Sequence, residues 1–167
     1  EVALFTAEKP EQFRDAVVNA LEDVEKLSSI VRALLLLSQA ESGQLALQKT
    51  ALDLGEVAAD VVDQFQIPAE EKGVELTATL EPGATALVDR TQMERLVSNL
   101  VSNAIKYTPK GGRVRIALSF APDGRLLLEV NDSGIGIPKA VQQRLFTEFF
   151  RAENAKAMET AGTGLGL

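Results

Sequence analysis

Two asparagines spaced four residues apart are the first side chains in this sequence that could do chemistry. Asn99 and Asn103 lie in a stretch whose apolar residues recur with helical spacing, so the sequence predicts both carboxamides on one helix face. Asparagine is a middling helix former, and two of them inside a helix need a reason. Carboxamide oxygens suit a hard cation such as Mg²⁺, and Lys106 could then neutralise phosphate charge. An ordinary solvated helix face explains the asparagines equally well.

A glycine-containing turn follows a predicted strand later in the chain. Asp132 stands at the end of that strand, and Gly134 and Gly136 follow it at alternate positions. An aspartate in this place can accept a hydrogen bond from an amine, and glycines let the backbone approach a flat ligand closely. A tight turn without a ligand is the alternative, because such turns are common.

A second glycine-rich segment closes the chain. The backbone N–H groups of residues 162–166 could face phosphates. The segment lacks the lysine of the Walker P-loop, so by itself it could equally be a linker. Before it, Phe146, Phe149 and Phe150 cluster beside Arg151, which indicates either core packing or a hinge that anchors the following loop.

The composition removes several classes of function. The 167 residues carry a net charge of −7 and contain neither histidine nor cysteine. Zinc sites, Ser-His-Asp hydrolysis, thiol chemistry and disulfides are therefore not expected. No basic patch indicates nucleic-acid binding, and no apolar run approaches the roughly 18 residues of a membrane span. The apolar and charged fractions are typical of a globular domain.

The N-terminal part of the chain predicts one long helix from Pro10 to about Gly43. Its apolar residues alternate spacings of four and three, which is the seam of a coiled coil or helical bundle. The seam consists of Phe13, Val17, Ala20, Val24, Leu27, Val31, Leu34 and Ser38. A helix that packs on its own domain is the alternative, but the long regular seam favours another helix or another chain.

Helices and strands alternate after Gly43. The pattern predicts a short strand at Leu45 and Leu47, and then a helix that Asp53 caps and that ends near Lys72. Further strands and helices follow, listed here by predicted range: strands 74–80 and 84–88, a helix from Asp89, a hairpin of strands 114–120 and 126–130, and a short helix 138–146. Residues 153–160 read as a loop or a weak helix. This order predicts an α+β fold in which helices cover one face of a mixed, largely antiparallel sheet.

Four segments in order resemble the N, G1, F and G2 boxes of bacterial sensor histidine kinases. They are NLVSNAIKYTP (99–109), DSGIGI (132–137), LFTEFFRA (145–152) and GTGLGL (162–167). The resemblance implies a Bergerat-type ATP-binding catalytic domain at residues 44–167, of the kind shared with gyrase-type and MutL-type ATPases. Residues 1–43 resemble part of the family's dimerisation and phosphoacceptor hairpin, with Glu1–Phe5 as the end of its first helix.

The resemblance also implies roles for individual residues. Asn103 is expected to hold Mg²⁺ against the phosphates of ATP, with Lys106 on phosphate and Tyr107 near the nucleoside. Asn99 stands where related ATPases carry a glutamate base. Its replacement makes sense for a kinase, which must keep the γ-phosphate for its acceptor rather than activate water. Asp132 is expected to hydrogen-bond the exocyclic amine of adenine.

Glycines and cations complete the expected nucleotide site. The resemblance implies that Gly134 and Gly136 shape the adenine pocket and that Arg151 and Lys156 lie on a lid between the F and G2 boxes. The segment expected to wrap the phosphates and hinge the lid consists of Gly162, Thr163, Gly164, Leu165 and Gly166.

Two departures from the family pattern matter. The acceptor histidine is missing, so this chain is not expected to autophosphorylate alone. Family members also continue past GLGL with a helix and two strands, so the chain is expected to be part of a longer protein. By analogy with the family, that protein is expected to be anchored in the inner membrane, with this chain in its cytoplasmic portion. The expected partners are ATP, a response-regulator receiver domain and a second copy through the hairpin, without nucleic acid or membrane contact. A non-catalytic ATP-sensing module and a gyrase/MutL-type ATPase are the alternatives, and Asn99 argues against the ATPase.

Overall fold

The computed structural model describes residues 10–145, 147, 150 and 152–157. The chain divides into two compact units, Glu1–Ala46 and Leu47–Leu167. The first unit contains helix α1, Pro10–Glu41. The helix is followed by Gly43 with a φ of 68°, a left-handed conformation that favours glycine. The long helix predicted from Pro10 to about Gly43 is confirmed.

The seam of α1 is largely open to solvent. The exposed fractions are 52% for Phe13, 62% for Val24 and 62% for Leu27. Within the part of the chain that the structure describes, no helix combines the length and the apolar character that crossing a membrane requires.

The second unit interleaves helices with strands. Its elements are β1 (Thr50–Asp53), α2 (Leu54–Lys72), β2 (Glu75–Leu80), β3 (Thr85–Val88), α3 (Arg90–Tyr107), β4 (Arg113–Phe120), β5 (Leu126–Asp132), a 3-10 helix (Lys139–Arg144) and α4 (Glu153–Ala157). The predicted α+β class is confirmed. The stretch from residue 153, left open between a loop and a weak helix, forms a short helix as far as Ala157.

The strands form a three-stranded sheet and a separate pair. In the larger sheet β4 lies between β2 and β5, parallel to β2 and antiparallel to β5. The register places Ile116 opposite both Ala78 and Val130. The smaller sheet pairs β1 with β3 antiparallel. The sheet is thus mixed, as predicted.

The strand predicted at Leu45 and Leu47 is wrong. Residues 44–49 are neither helix nor strand, and β1 begins at Thr50, which pairs with Val88. Val88 is the last residue of β3 before the chain turns into α3, so residues before Thr50 have no strand to pair with. Alternating leucines alone could not reveal where the partner strand ends.

The core lies between α2, α3 and the three-stranded sheet. Strand β4 buries alternate side chains, Val114, Ile116 and Leu118, whose exposed fractions do not exceed 2%. Val61 of α2 and Val101 of α3 pack in the same cluster. Burial of one apolar face of each element therefore fixes α3 against the sheet and leaves its other face for polar residues.

Candidate nucleotide-binding site

Helix α3 carries the two asparagines. Asp89 caps its first turn by accepting a hydrogen bond from the backbone N–H of Gln92 at 3.1 Å. The apolar face of the helix is buried, including Val97 and Val101 at 1% and 0% exposure. Asn99 and Asn103 are half-buried, one helical turn apart. The carboxamides therefore lie on a rigid element at the boundary of the core.

The C-terminal end of α3 is held from two directions. Thr108, a buried polar residue, donates its hydroxyl hydrogen bond to the carbonyl of Ala104 at 2.7 Å. The ammonium of Lys72, at the end of α2, donates to the carbonyl of Ile105 at 2.8 Å and to that of Lys106. The Ile105 carbonyl also accepts from the backbone N–H of Thr108 at 3.2 Å, and a cation beside the last carbonyls of a helix is favourable. Burial lowers the pKa of Lys72, and repulsion from Lys106 lowers it further.

The loop after β5 is fixed by its own aspartate and by α3. Asp132 Oδ1 accepts from the backbone N–H of Gly134 at 2.8 Å, which orients the carboxylate. The next N–H, that of Ile135, donates to the carbonyl of Tyr107 at 3.1 Å. The last residue of α3 and the predicted adenine-binding loop are therefore joined backbone to backbone.

Glycine is required where the loop crosses the end of α3. A Cβ atom on Gly134 would lie 2.5 Å from the carbonyl oxygen of Tyr107 and 2.6 Å from Asp132 Oδ1. Real Cβ atoms do not approach other atoms so closely, and the Tyr107 carbonyl belongs to the backbone, which cannot swing aside as a side chain could. Gly136 has a φ of 65°, which also favours glycine. Glycine is thus favoured at the two positions for different reasons: close approach to other atoms at Gly134 and a left-handed backbone at Gly136.

Lys106 and Tyr107 lie next to this junction. The ammonium nitrogen of Lys106 is 5.4 Å from the centre of the Tyr107 ring, within range of a cation–π contact. Both side chains are half-buried. A cation and an aromatic face are therefore available beside the loop that starts at Asp132.

Side-chain amides tie the following segment to the same loop. Asn154 of α4 donates from Nδ2 to the carbonyl of Gly136 at 3.0 Å, and Gln142 of the 3-10 helix donates to that of Ile137 at 3.1 Å. Arg144 lies over the ring of Phe150 at 4.6 Å. The connection between the predicted F and G2 boxes therefore begins against the predicted adenine loop.

Some predicted site residues lie outside the described residues. These are Arg151 and the segment from Gly162 to Gly166, and the side chain of Lys156 is also not described. Among the described residues, no three His, Cys, Asp or Glu side chains are grouped so that they could hold a metal. Asn103 offers one carboxamide oxygen, which suits a hard cation such as Mg²⁺ that keeps waters and shares phosphates with its site.

The sequence did not reveal two residues that hold the site together. Lys72 precedes Gly73, which is an ordinary signal for a helix end, but nothing local shows that its ammonium reaches α3. Asn154 lies in the stretch for which the sequence predicts either a loop or a weak helix. Both contacts join residues far apart in the chain, 33 positions between Lys72 and Ile105 and 18 between Gly136 and Asn154.

Comparison with known proteins agrees with this arrangement. Residues 88–167 match the family described as histidine kinase-, DNA gyrase B- and HSP90-like ATPase. The sensor-like histidine kinase SenX3 of Mycolicibacterium smegmatis is 30% identical over 167 residues, which are 100% of this chain and 43% of SenX3. The sensor histidine kinase RppB of Synechocystis sp. is 36% identical over 143 residues, 85% of this chain and 31% of RppB.

A solved structure extends the likeness to the fold. The crystal structure of full-length ShkA in complex with AMPPNP superposes with a TM-score of 0.78 at 26% identity, covering 98% of this chain and 34% of ShkA. The chain thus spans less than half the length of these relatives. Its α+β unit has the Bergerat ATP-binding fold of histidine kinase catalytic domains. The chain belongs to the sensor histidine kinases and contains the part of them that carries the ATP-binding catalytic domain.

Proposed function

We propose that the second unit binds ATP with Mg²⁺ and donates the γ-phosphate to a histidine on a helical hairpin, from which it passes to a response-regulator aspartate. The observation that carries this proposal is the junction between α3 and the Asp132 loop. The hydrogen bond from the Ile135 N–H to the Tyr107 carbonyl fixes the Asp132 loop at the end of the helix that bears Asn103 and Lys106. The Asp132 carboxylate is the proposed acceptor for the adenine amine.

Asp132 is proposed to select adenine. Its Oδ1 is engaged by the N–H of Gly134, and Oδ2 can then accept from the exocyclic amine of the base. Guanine presents a carbonyl oxygen at the corresponding position, and a carboxylate would repel it. Gly134 and Gly136 keep side chains away from the base, and the face of Tyr107 would lie near the nucleoside.

The phosphate end is proposed to lie along α3. The Asn103 carboxamide oxygen suits a hard cation, and Lys106 adds positive charge next to it. The cation would neutralise charge that develops on the phosphates during transfer. Asn99 is not a base at neutral pH, so water beside the γ-phosphate is not activated. Arg151, Lys156 and residues 162–166 are proposed to close over the phosphates.

The partners and the location extend the same proposal. The open seam of α1, with Val24 and Leu27 each 62% exposed, supports self-association of two copies through a helical bundle. The acceptor histidine must come from another polypeptide or segment, because this sequence has none. We place the protein that contains this chain at the inner membrane, with the ATP-binding unit in the cytoplasm, which fractionation of cells that express it would test.

Calorimetry on a matched pair of variants tests the site. Asp132→Ala removes a charge-assisted hydrogen bond of about 1.5–3 kcal/mol, so ATP should bind roughly 10- to 100-fold more weakly. Glu129→Ala, which removes another exposed carboxylate from the same strand, should leave the affinity unchanged. Equal ATP affinities for both variants would refute the assignment of Asp132.

A second assay tests the reaction. The chain is mixed with a separately produced histidine-bearing hairpin from a sensor histidine kinase, Mg²⁺ and γ-labelled ATP. Acid-labile, base-stable label on the hairpin is expected. Rapid release of inorganic phosphate without labelled protein would instead support an ATPase.

A further inference from the structure

Asp89 holds two distant parts of the second unit with one carboxylate. Its Oδ1 accepts from the backbone N–H of Gln92 at 3.1 Å, which caps α3. Its Oδ2 accepts from the backbone N–H of Gln48 at 2.8 Å, across 41 residues of sequence. The second bond has no part in capping the helix, so it needs its own explanation.

The chain geometry explains why an aspartate stands here. The ladder between β1 and β3 ends at the pair Thr50 and Val88, since α3 begins directly afterwards. The N–H of Gln48 lies beyond the last pair, where no strand carbonyl follows. An ionised carboxylate can accept through both oxygens, whereas asparagine has one acceptor oxygen and serine is shorter. The hydrogen bond from Gln48, followed by that from Gln92, lowers the pKa of Asp89.

The contact connects the start of the unit with its nucleotide helix. Residues 47–49, here called the entry segment, are the first of the unit Leu47–Leu167. Asn99 and Asn103 lie further along the helix that Asp89 caps. Its first turn is also tied to α2, because Arg90 pairs with Asp60 at 2.7 Å. Asp89 thus joins the entry segment to the start of α3, and the Arg90–Asp60 pair is a second anchor of α3 that does not involve the entry segment.

We propose that Asp89 is a positioning residue that couples the entry segment to α3, so that release of the Gln48 N–H weakens ATP binding. The inference rests on the proposed function, because it takes α3 as the helix that binds the phosphates. It assigns the entry segment a regulatory role: a pull or rotation in the chain before residue 50 changes the affinity of the site without touching the nucleotide.

Two substitutions at one position isolate the bond. Gln48→Pro removes the N–H in a segment that is neither helix nor strand, and Gln48→Ala keeps the N–H while removing the side chain. We expect Gln48→Pro to weaken ATP binding about fivefold, at the lower end of typical coupling between sites. Gln48→Ala should bind ATP like the unaltered chain.

Asp89→Asn gives a second, conservative test. Asparagine still caps a helix well but has one acceptor oxygen, so the amide of Gln48 should exchange with solvent faster. Asp53→Asn makes the same substitution at the cap of α2. It is the control and should leave amide exchange at Gln48 unchanged. Both variants act on the hydrogen bond between Gln48 and Asp89. If they weaken ATP binding through that bond alone, the double variant binds ATP no more weakly than the weaker-binding single variant.

Amide exchange separates the two possible failures. With coupling, Gln48→Pro speeds exchange at the Gln92 amide in the first turn of α3, whether or not ATP is present. Unchanged exchange at Gln92, or equal ATP affinity of Gln48→Pro and Gln48→Ala, overturns the coupling. Failure of the unaltered chain to bind ATP contradicts the proposed function instead, and the exchange at Gln92 still decides the coupling.

Discussion

Helices α1 and α3 have similar apolar patterns and different surroundings. The stripe of α3 is buried, with Val97 and Val101 at 1% and 0% exposure, whereas Val24 and Leu27 of α1 are each 62% exposed. Both stripes repeat at spacings of three and four. The pattern therefore shows that a helix needs a partner, while the location of that partner depends on the rest of the chain and on other molecules.

The polar faces of α1 and α3 also differ in what they contact. Asn99, Asn103 and Lys106 lie in the second half of α3, whose last residue is bonded to the Asp132 loop. In α1, Arg32 bonds instead to Ser28, four residues earlier on its own surface. A buried stripe fixes a helix firmly enough to position chemistry, and an open stripe leaves a helix available for association.

The largest expected effect comes from placing a charge in each stripe. Val101→Asp buries an unpaired carboxylate, which should lower the free energy of unfolding of the second unit by about 4 kcal/mol or more. Leu27→Asp should leave thermal unfolding of that unit unchanged and abolish self-association, as measured by sedimentation. An equal loss of stability in both variants would show that the comparison between the two helices is wrong.

Next in size is the effect of a single methyl group at the α3 junction. In Gly134→Ala the new Cβ meets the Tyr107 carbonyl at 2.5 Å. The resulting shift should cost about 1–3 kcal/mol and weaken ATP binding roughly 5- to 150-fold, as measured by calorimetry. Gly124→Ala is the control: a Cβ there has nothing within 4 Å, and any strain from alanine at its φ of 80° falls in the turn between β4 and β5. Normal ATP affinity in Gly134→Ala would mean that the junction does not shape the site.

The smallest effect concerns Lys72, which joins α2 to α3. Its pKa is lowered by burial and then by Lys106, so between that lowered pKa and about 10.4 the unfolded chain binds more protons than the folded one. The free energy of unfolding should therefore rise slightly as the pH rises through this window. Solvent screening keeps the change small.

The comparison with Lys72→Met isolates this group from the other lysines. Urea unfolding of both proteins at a series of pH values gives the difference in stability, which should favour the unaltered chain increasingly as the pH rises. A difference that falls with rising pH would show that the ammonium form of Lys72 is favoured by folding.

Local signals predicted much of the fold. Asp53 and Gly73 mark the two ends of α2, and the alternation of Val114, Ile116 and Leu118 marks β4, because caps and side-chain periodicity depend only on neighbouring residues. The same reasoning placed Asn99 and Asn103 on one helix.

Non-local contacts escaped prediction. The parallel pairing of β2 with β4 and the start of β1 at Thr50 depend on which strands meet. The bonds from Lys72 to Ile105 and from Gln48 to Asp89 join residues that are 33 and 41 positions apart. No spacing rule reveals such contacts, because they arise only when packed elements bring the side chains together.

The central claim is that the junction of α3 with the Asp132 loop forms an ATP site. Its most direct test is calorimetric titration of the unaltered chain with ATP and with GTP, each with and without Mg²⁺. We predict that ATP binds more tightly than GTP and that Mg²⁺ strengthens ATP binding. Equal affinity for the two nucleotides would contradict adenine recognition by Asp132, and absence of binding to both would contradict the site itself.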